Sequence, residues 1–411
     1  MVVARRSILL AAVIVAAAAL CLAAAGCGSA AAGGGSPDQH RTLTLASFEF
    51  SDAASALMDG DRDGFLKWLP VDGGSSSAPE VRKRLAEVFD TLSPLPWRSF
   101  TFTVTPVKGA AGVFRVEGSG QLGAAGPPDR LAVVRYLRLK PAGDGAVVLA
   151  DVTPEALRRR YLMALHDPVV LQRPGLIVLA DRRARARGDE VLAAALRARP
   201  RLAALGIGTR PTVLVTVFGS AEDIHDALGF STSTARLVFF SYPSLRVADT
   251  DWPTYDVAVM GPWLDGSSMD DVLTHELAHA YTVRWFSGDK RPPSLLVEGI
   301  AQAAEGLPEL SLLRQEVATG DQLWPLPESF ASADVWEGAD SEGVSLGYEI
   351  GGSLVAYVIS HYGAGRLRPF VQAVAAAEPT EAGMDEALGG ALGVTWRQFY
   401  AGWRGYVLSG G

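Results

Sequence analysis

The sequence predicts an α+β protein built in two parts: a small domain of helices and an antiparallel sheet, then a larger domain with a mixed sheet and a mostly helical C-terminal half. Three observations lead there. In the first half, the segments SFTFTVTPV, GVFRVEG, RLAVVRYLRL and AVVLADV alternate or run apolar, with turn residues between them, which reads as an antiparallel sheet. Further on, PGLIVLA, RPTVLVTVF, ARLVFFSYP and YDVAVMG read as buried strands, the first two separated by the helical DRRARARGDEVLAAALRARPRLAALG. From Ser268 to the end the period is helical, and 411 residues exceed what one hydrophobic core usually serves.

In chain order, residues 1–27 form an export segment. Arg5 and Arg6 make a basic start, and Ile8 to Ala25 is an unbroken apolar run. Ala24-Ala25-Gly26-Cys27 resembles the lipobox of bacterial lipoproteins, where small residues precede an acylated cysteine, so Cys27 is the predicted lipidation site. An uncleaved membrane anchor and ordinary secretion are the alternatives, and all three export the chain. The expected location is the outer face of the cytoplasmic membrane, or the medium. Cys21 and Cys27 are the only cysteines, so the folded part offers neither disulfides nor thiolate ligands. Any metal there is held by nitrogen and oxygen.

Residues 28–41 begin GSAAAGGGSPDQH and read as a flexible tether. Residues 42–157 form the accessory domain: one or two helices over 45–69, another from Glu80 to about Leu92 after VDGGSSSAP, then the antiparallel sheet. That order of elements resembles the cone-shaped nuclear-transport-factor-like fold. Residues 158–411 make the second domain, with helices expected over 269–286, 295–305, 345–362, 366–377 and 395–407. A formal charge of -8 argues against a nucleic-acid binder held by phosphate contacts.

Residues 274–283, THELAHAYTV, carry the chemistry. The preceding serines, with Asp270 and Asp271 in the first turn, are favourable for a helix start. On that helix His275 and His279 share a face about one turn apart, which suits two imidazole nitrogens on one ion, and Glu276 lies about 100° round from His275. A catalytic zinc site takes three protein ligands and keeps a position for water, so a third ligand is needed. RPPSLLVEGIAQAAEGLP supplies Glu298 in the middle of a second helix, opened by prolines and Ser294 and closed by Gly306 and Pro308. An acid among Leu296, Val297, Ile300 and Ala301 is costly to bury without a cation, and Gly299 beside it removes a side chain where two helices approach closely.

HELAH, LLVEGIAQ, GYEIGGSLVAYVISHYG and TWRQFYAGWRGYV together resemble the gluzincin metallopeptidases, most closely the peptidase MA-like group, over about Leu176 to Val407. The resemblance implies a zincin-like second domain with Zn2+ on His275, His279 and Glu298, and Glu276 as general base. It implies a peptide or protein as substrate. Relatives place a tyrosine hydroxyl at the oxyanion where this chain has Tyr348, at the start of a helix; Tyr281 and His361 are lesser candidates. Gluzincins also orient a zinc histidine with an acid shortly after the glutamate ligand, whereas one turn after Glu298 stands Gln302, with Glu305 further on. VMGPW lacks the Glu and Asn with which aminopeptidase relatives bind a free amine, which leans toward an endopeptidase or leaves the specificity open. The strand YDVAVMG, before the histidine helix, is expected at a sheet edge able to pair with an extended substrate.

Other readings stand beside this one. A catalytically silent zincin lipoprotein, acting as a binding or envelope-assembly protein, is the alternative function, and Glu276 counts against it because a purely structural site has no use for a base. DGDRDG at 59–64 matches the first half of a calcium loop, but Pro70 falls where the bidentate glutamate belongs, so a turn between helices is the better reading. RRARARGDE reads as a solvated helix face, His166 and His225 as ordinary histidines, and Trp396, Tyr400, Trp403 and Tyr406 as core.

Overall fold

The computed structural model describes residues 37–74, 76–122, 130–152, 165, 167–208, 213–228, 240–244, 254–260, 266–282, 285–286, 293–306, 310–319 and 341–410. The predicted export segment, with Cys27, and His166 lie outside them. No helix among the described residues is long and apolar enough to cross a membrane.

The protein is α+β, as the hydrophobic periods predict. Three helices come first, α1 (Pro37–Asp59), α2 (Arg62–Trp68) and α3 (Ala78–Leu92), followed by strands β1 (Trp97–Pro106), β2 (Val113–Leu122), β3 (Arg130–Ala142) and β4 (Gly145–Asp151). These strands form an antiparallel sheet in sequence order. DGDRDG joins α1 to α2, and Asp61 caps α2 by accepting the Gly64 N–H at 2.9 Å, which is helix-start chemistry.

A second sheet holds β5 (Val169–Arg173), β6 (Leu176–Ala180), β7 (Val213–Phe218), β8 (Phe240–Ser244) and β9 (Thr254–Met260) in the order β5-β6-β7-β9-β8. Strands β6, β7 and β9 run parallel, while β5 and β8 are antiparallel to their neighbours. The helix α4 (Arg185–Ala204) lies between β6 and β7, and α5 (Ala221–Leu228) follows β7. β9 is flanked by β7 and β8, which corrects the expectation of an edge strand: among the described strands β8 occupies that edge.

Helices make up the remainder: α6 (Gly266–Thr282), α7 (Ser294–Glu305), α8 (Ser311–Thr319), α9 (Ser341–Tyr362), α10 (Leu367–Ala376), α11 (Glu381–Leu392) and α12 (Trp396–Ser409). The sequence does not announce α11, whose three glycines at 383, 389 and 390 dilute helical propensity. Thr380 caps it by accepting the Gly383 N–H.

Residues Thr42–Gly411 form one compact unit. In β6 the side chains alternate: Leu176, Val178 and Ala180 enter a core shared with α4 and α6–α12, whereas Ile177 and Leu179 enter a core with Phe50, Phe65, Phe89 and Phe114 of the N-terminal layer. Val213, Val215 and Val217 of β7 join the first of these cores and Leu214 and Phe218 the second, so β6 and β7 are buried on both faces. Trp403 and Phe399 of α12 are in the C-terminal core, the Trp403 indole donating to Ser353 Oγ at 3.0 Å. α6 packs against β8, β9, α4 and α7, and α7 packs against α9, which sets the helices bearing the sequence-predicted residues side by side.

Candidate metal centre

The α6 helix starts at Gly266, so Asp270 and Asp271 fall beyond its first turn. They bond arginines of α4 instead: Arg197 forks onto Asp270 at 2.7 and 2.6 Å, and Arg201 donates to Asp271 at 2.8 Å. One turn beyond Asp271, His275 projects from α6, and His279 follows one turn later, with ring centroids 4.9 Å apart and planes at 79°. Glu298 arrives from α7. Its Oε2 lies 3.4 Å from His275 Nε2 and 3.5 Å from His279 Nε2.

Those separations match an ion between the groups. In a tetrahedral zinc site with ligands at ~2.0–2.1 Å, neighbouring donor atoms stand about 3.3–3.4 Å apart. The ligand atoms of His275, His279 and Glu298 all lie within 4.8 Å of one another, and among the described residues no other cluster of His, Cys, Asp and Glu converges in this way. The donor set of two imidazole nitrogens and one carboxylate, without thiolate, suits a divalent metal ion, zinc among them.

The His275 ring is held from behind. Its Nδ1 meets Glu305 Oε2 at 3.0 Å, so the carboxylate takes the ring's N–H and leaves Nε2 aimed at Glu298. Gln302 does not serve here: its amide donates to the Gly306 carbonyl. Glu305 lies seven residues after Glu298, about 20° round the helix from it, so helical spacing could have singled it out over Gln302. His279 Nδ1, by contrast, is buried and has no hydrogen-bond partner among the described residues.

Charge balance follows from this packing. Burial works against a charged His275, but hydrogen bonds to Glu298 and Glu305 and the charge of Glu276 prevail, and the imidazole is pushed up to about 10. Burial likewise disfavours ionised Glu298, yet hydrogen bonds from both histidines hold it far below the ordinary carboxylate range. The metal-free centre is thus a partly buried carboxylate neutralised by imidazolium, a place a divalent cation can take over.

Glu276 is buried at 7% exposure, and its charge acts on both His275 and Tyr348. Tyr348 is also at the centre: its ring lies 6.3 Å from that of His275 and its hydroxyl hydrogen-bonds Glu298. Burial and the charges of Glu298 and Glu276 drive this hydroxyl well above its usual pKa, so it stays a protonated donor. Tyr348 sits inside α9, since that helix begins at Ser341. The next residue, Glu349, points elsewhere and accepts the Leu313 N–H of α8 at 2.9 Å. Tyr281 belongs to the apolar core, its hydroxyl without a partner among the described residues. His361 stacks on Tyr357 at 5.3 Å, about 20 Å along α9 from Tyr348.

No protein-family model and no curated protein matches this chain.

Proposed function

We propose that this protein is an exported zinc-dependent peptidase of the gluzincin type, tethered to the outer face of the membrane through a lipid on Cys27. The observation that carries the reading is the convergence of His275, His279 and Glu298 from α6 and α7, with Glu276 and Tyr348 beside them.

Bound zinc supplies Lewis acidity, which acidifies water and polarises a peptide carbonyl. The chain's own residues do the rest. Glu276, adjacent to the ligands, takes a proton from the attacking water and returns it to the leaving amine. Tyr348 donates its hydroxyl to the developing oxyanion of the substrate. Glu305 keeps His275 in the tautomer that presents Nε2. An extended peptide substrate pairs with β8, the edge strand beside α6, rather than with β9.

The test is zinc analysis combined with peptide-library cleavage by the wild type, the chelator-treated protein and Glu276→Gln. Expected are one zinc per chain and cleavage that the chelator or the substitution abolishes. A Glu276→Gln protein that keeps zinc and cleaves like wild type overturns the assignment of the base. A wild type that holds zinc and cleaves nothing in the library favours the silent, binding form of the same fold.

A further inference from the structure

The two helices that carry the ligands are joined by a third that carries none. Arg201, on α4, donates from Nη1 to Asp271 Oδ1 of α6 at 2.8 Å and from Nη2 to the backbone carbonyl of Glu305, the last residue of α7. That carbonyl is among those at a helix end with no partner in the helix itself, so Arg201 provides its donor. The Glu305 side chain meets His275 Nδ1, and His275 lies one turn beyond Asp271 on α6. The contacts close a ring: Asp271 to Arg201, Arg201 to the Glu305 main chain, the Glu305 side chain to His275, and back along α6.

We infer that Arg201 is a positioning residue of the metal centre: by fixing the Glu305 main chain against Asp271, it sets how His275 is presented and how tightly zinc is held. The inference rests on the zinc-site reading above. Charge attraction is not the reason. Arg201 and Asp271 are 39% and 50% exposed, and a pair so placed contributes little to stability. The ring matters geometrically, because Glu305 is a long side chain at the end of a helix, where the backbone frays unless something holds it. With its carbonyl anchored, the carboxylate reaches His275 from a fixed base. Released, it loses that constraint while Glu298, in mid-helix, stays in place.

The molecule contains its own control. Arg197 stands one turn before Arg201 on α4 and makes a two-pronged pair with the neighbouring Asp270, but among the described residues its bonds do not extend to Glu305 or His275. Both arginines tie α4 to α6, and only Arg201 continues to α7.

The experiment measures zinc affinity of the full-length protein by competition with a chromophoric chelator, alongside thermal unfolding of the metal-free and zinc-loaded forms. Arg201→Ala is expected to weaken zinc binding about tenfold, the lower end for loss of a group supporting a ligand. Arg201→Lys, able to reach one of the two acceptors, weakens it less. Arg197→Ala keeps the wild-type affinity while lowering the metal-free Tm as much as Arg201→Ala does. Wild-type affinity in Arg201→Ala, or equal weakening in Arg197→Ala, overturns the inference. Should Arg201→Ala fail to fold, Arg201→Lys and Asp271→Asn carry the test: weakened zinc binding in both supports the ring, and wild-type affinity in both overturns it. A wild type that takes up no zinc overturns the zinc-site reading and the inference with it, whereas a wild type that binds zinc beside unaltered variants overturns the inference alone.

Discussion

Gly299 of α7 and Gly351 of α9 cross at backbone contact. A Cβ placed on Gly299 would lie 2.4 Å from the Gly351 carbonyl oxygen, and one on Gly351 would lie 2.6 Å from the carbonyl oxygen of Leu295. Atoms that close belong to backbone, which cannot swing aside as a side chain can. The crossing seats Glu298, next to Gly299, against Tyr348, one turn before Gly351. Gly351→Ala is therefore expected to push the helices apart, at a cost of about 1–3 kcal/mol in urea-induced unfolding. Unchanged stability would mean that the helices can separate freely and that the crossing does not set the site.

Glu276→Gln separates metal binding from turnover. Glutamine keeps the shape of the side chain and removes its ability to accept a proton, and none of the three proposed ligands is touched. Zinc content should stay at one per chain while kcat falls about 10²–10⁴-fold, the range for a general base. Loss of zinc along with activity would assign Glu276 to holding the ion instead.

Tyr348→Phe removes one hydroxyl. If that hydroxyl donates to the oxyanion, kcat should fall about 10²–10³-fold with KM little changed, because the interaction forms in the transition state. A rise in KM alone would show that Tyr348 holds the bound substrate.

Much of this centre could be read from the sequence, and the reasons differ by residue. His275, His279 and Glu276 are legible because one helix fixes their relative directions. Glu298 is legible because an acid in the apolar face of a helix asks for a cation. Glu305 was visible but ranked behind Gln302, since counting one turn from Glu298 favours the nearer residue, while the geometry of α7 against α6 favours the one two turns away. Arg201 gave no local signal at all: its partners, Asp271 and Glu305, are distant in sequence and meet it only through the packing of three helices. The sheet shows the same limit. An apolar run predicts a strand at β9, but whether a strand is interior or edge depends on what pairs beside it, and among the described strands β8 takes the edge.

Proton linkage gives the last prediction its sign. In the metal-free protein His275 is pushed up to about 10 from an ordinary 6.5, so it is protonated at neutral pH, and zinc can take Nε2 only by displacing that proton. Titration calorimetry at pH 7.5 in buffers of different ionisation enthalpy should report release of about one proton per zinc bound. The same groups shape stability. His275 has a raised folded pKa, so its contribution is fully present below about 6.5 and is lost as the pH climbs through about 10. Glu298 has a depressed one, so its contribution is present above its ordinary 4.5 and disappears as acid titrates it. Between pH 6.5 and 8.5 the metal-free form should begin to lose the His275 contribution while zinc competes with fewer protons. The Tm difference between zinc-loaded and metal-free protein should consequently widen with rising pH at fixed free zinc, as thermal unfolding of the two forms would record. A difference that stays constant over that range would mean that His275 binds no proton in the metal-free centre.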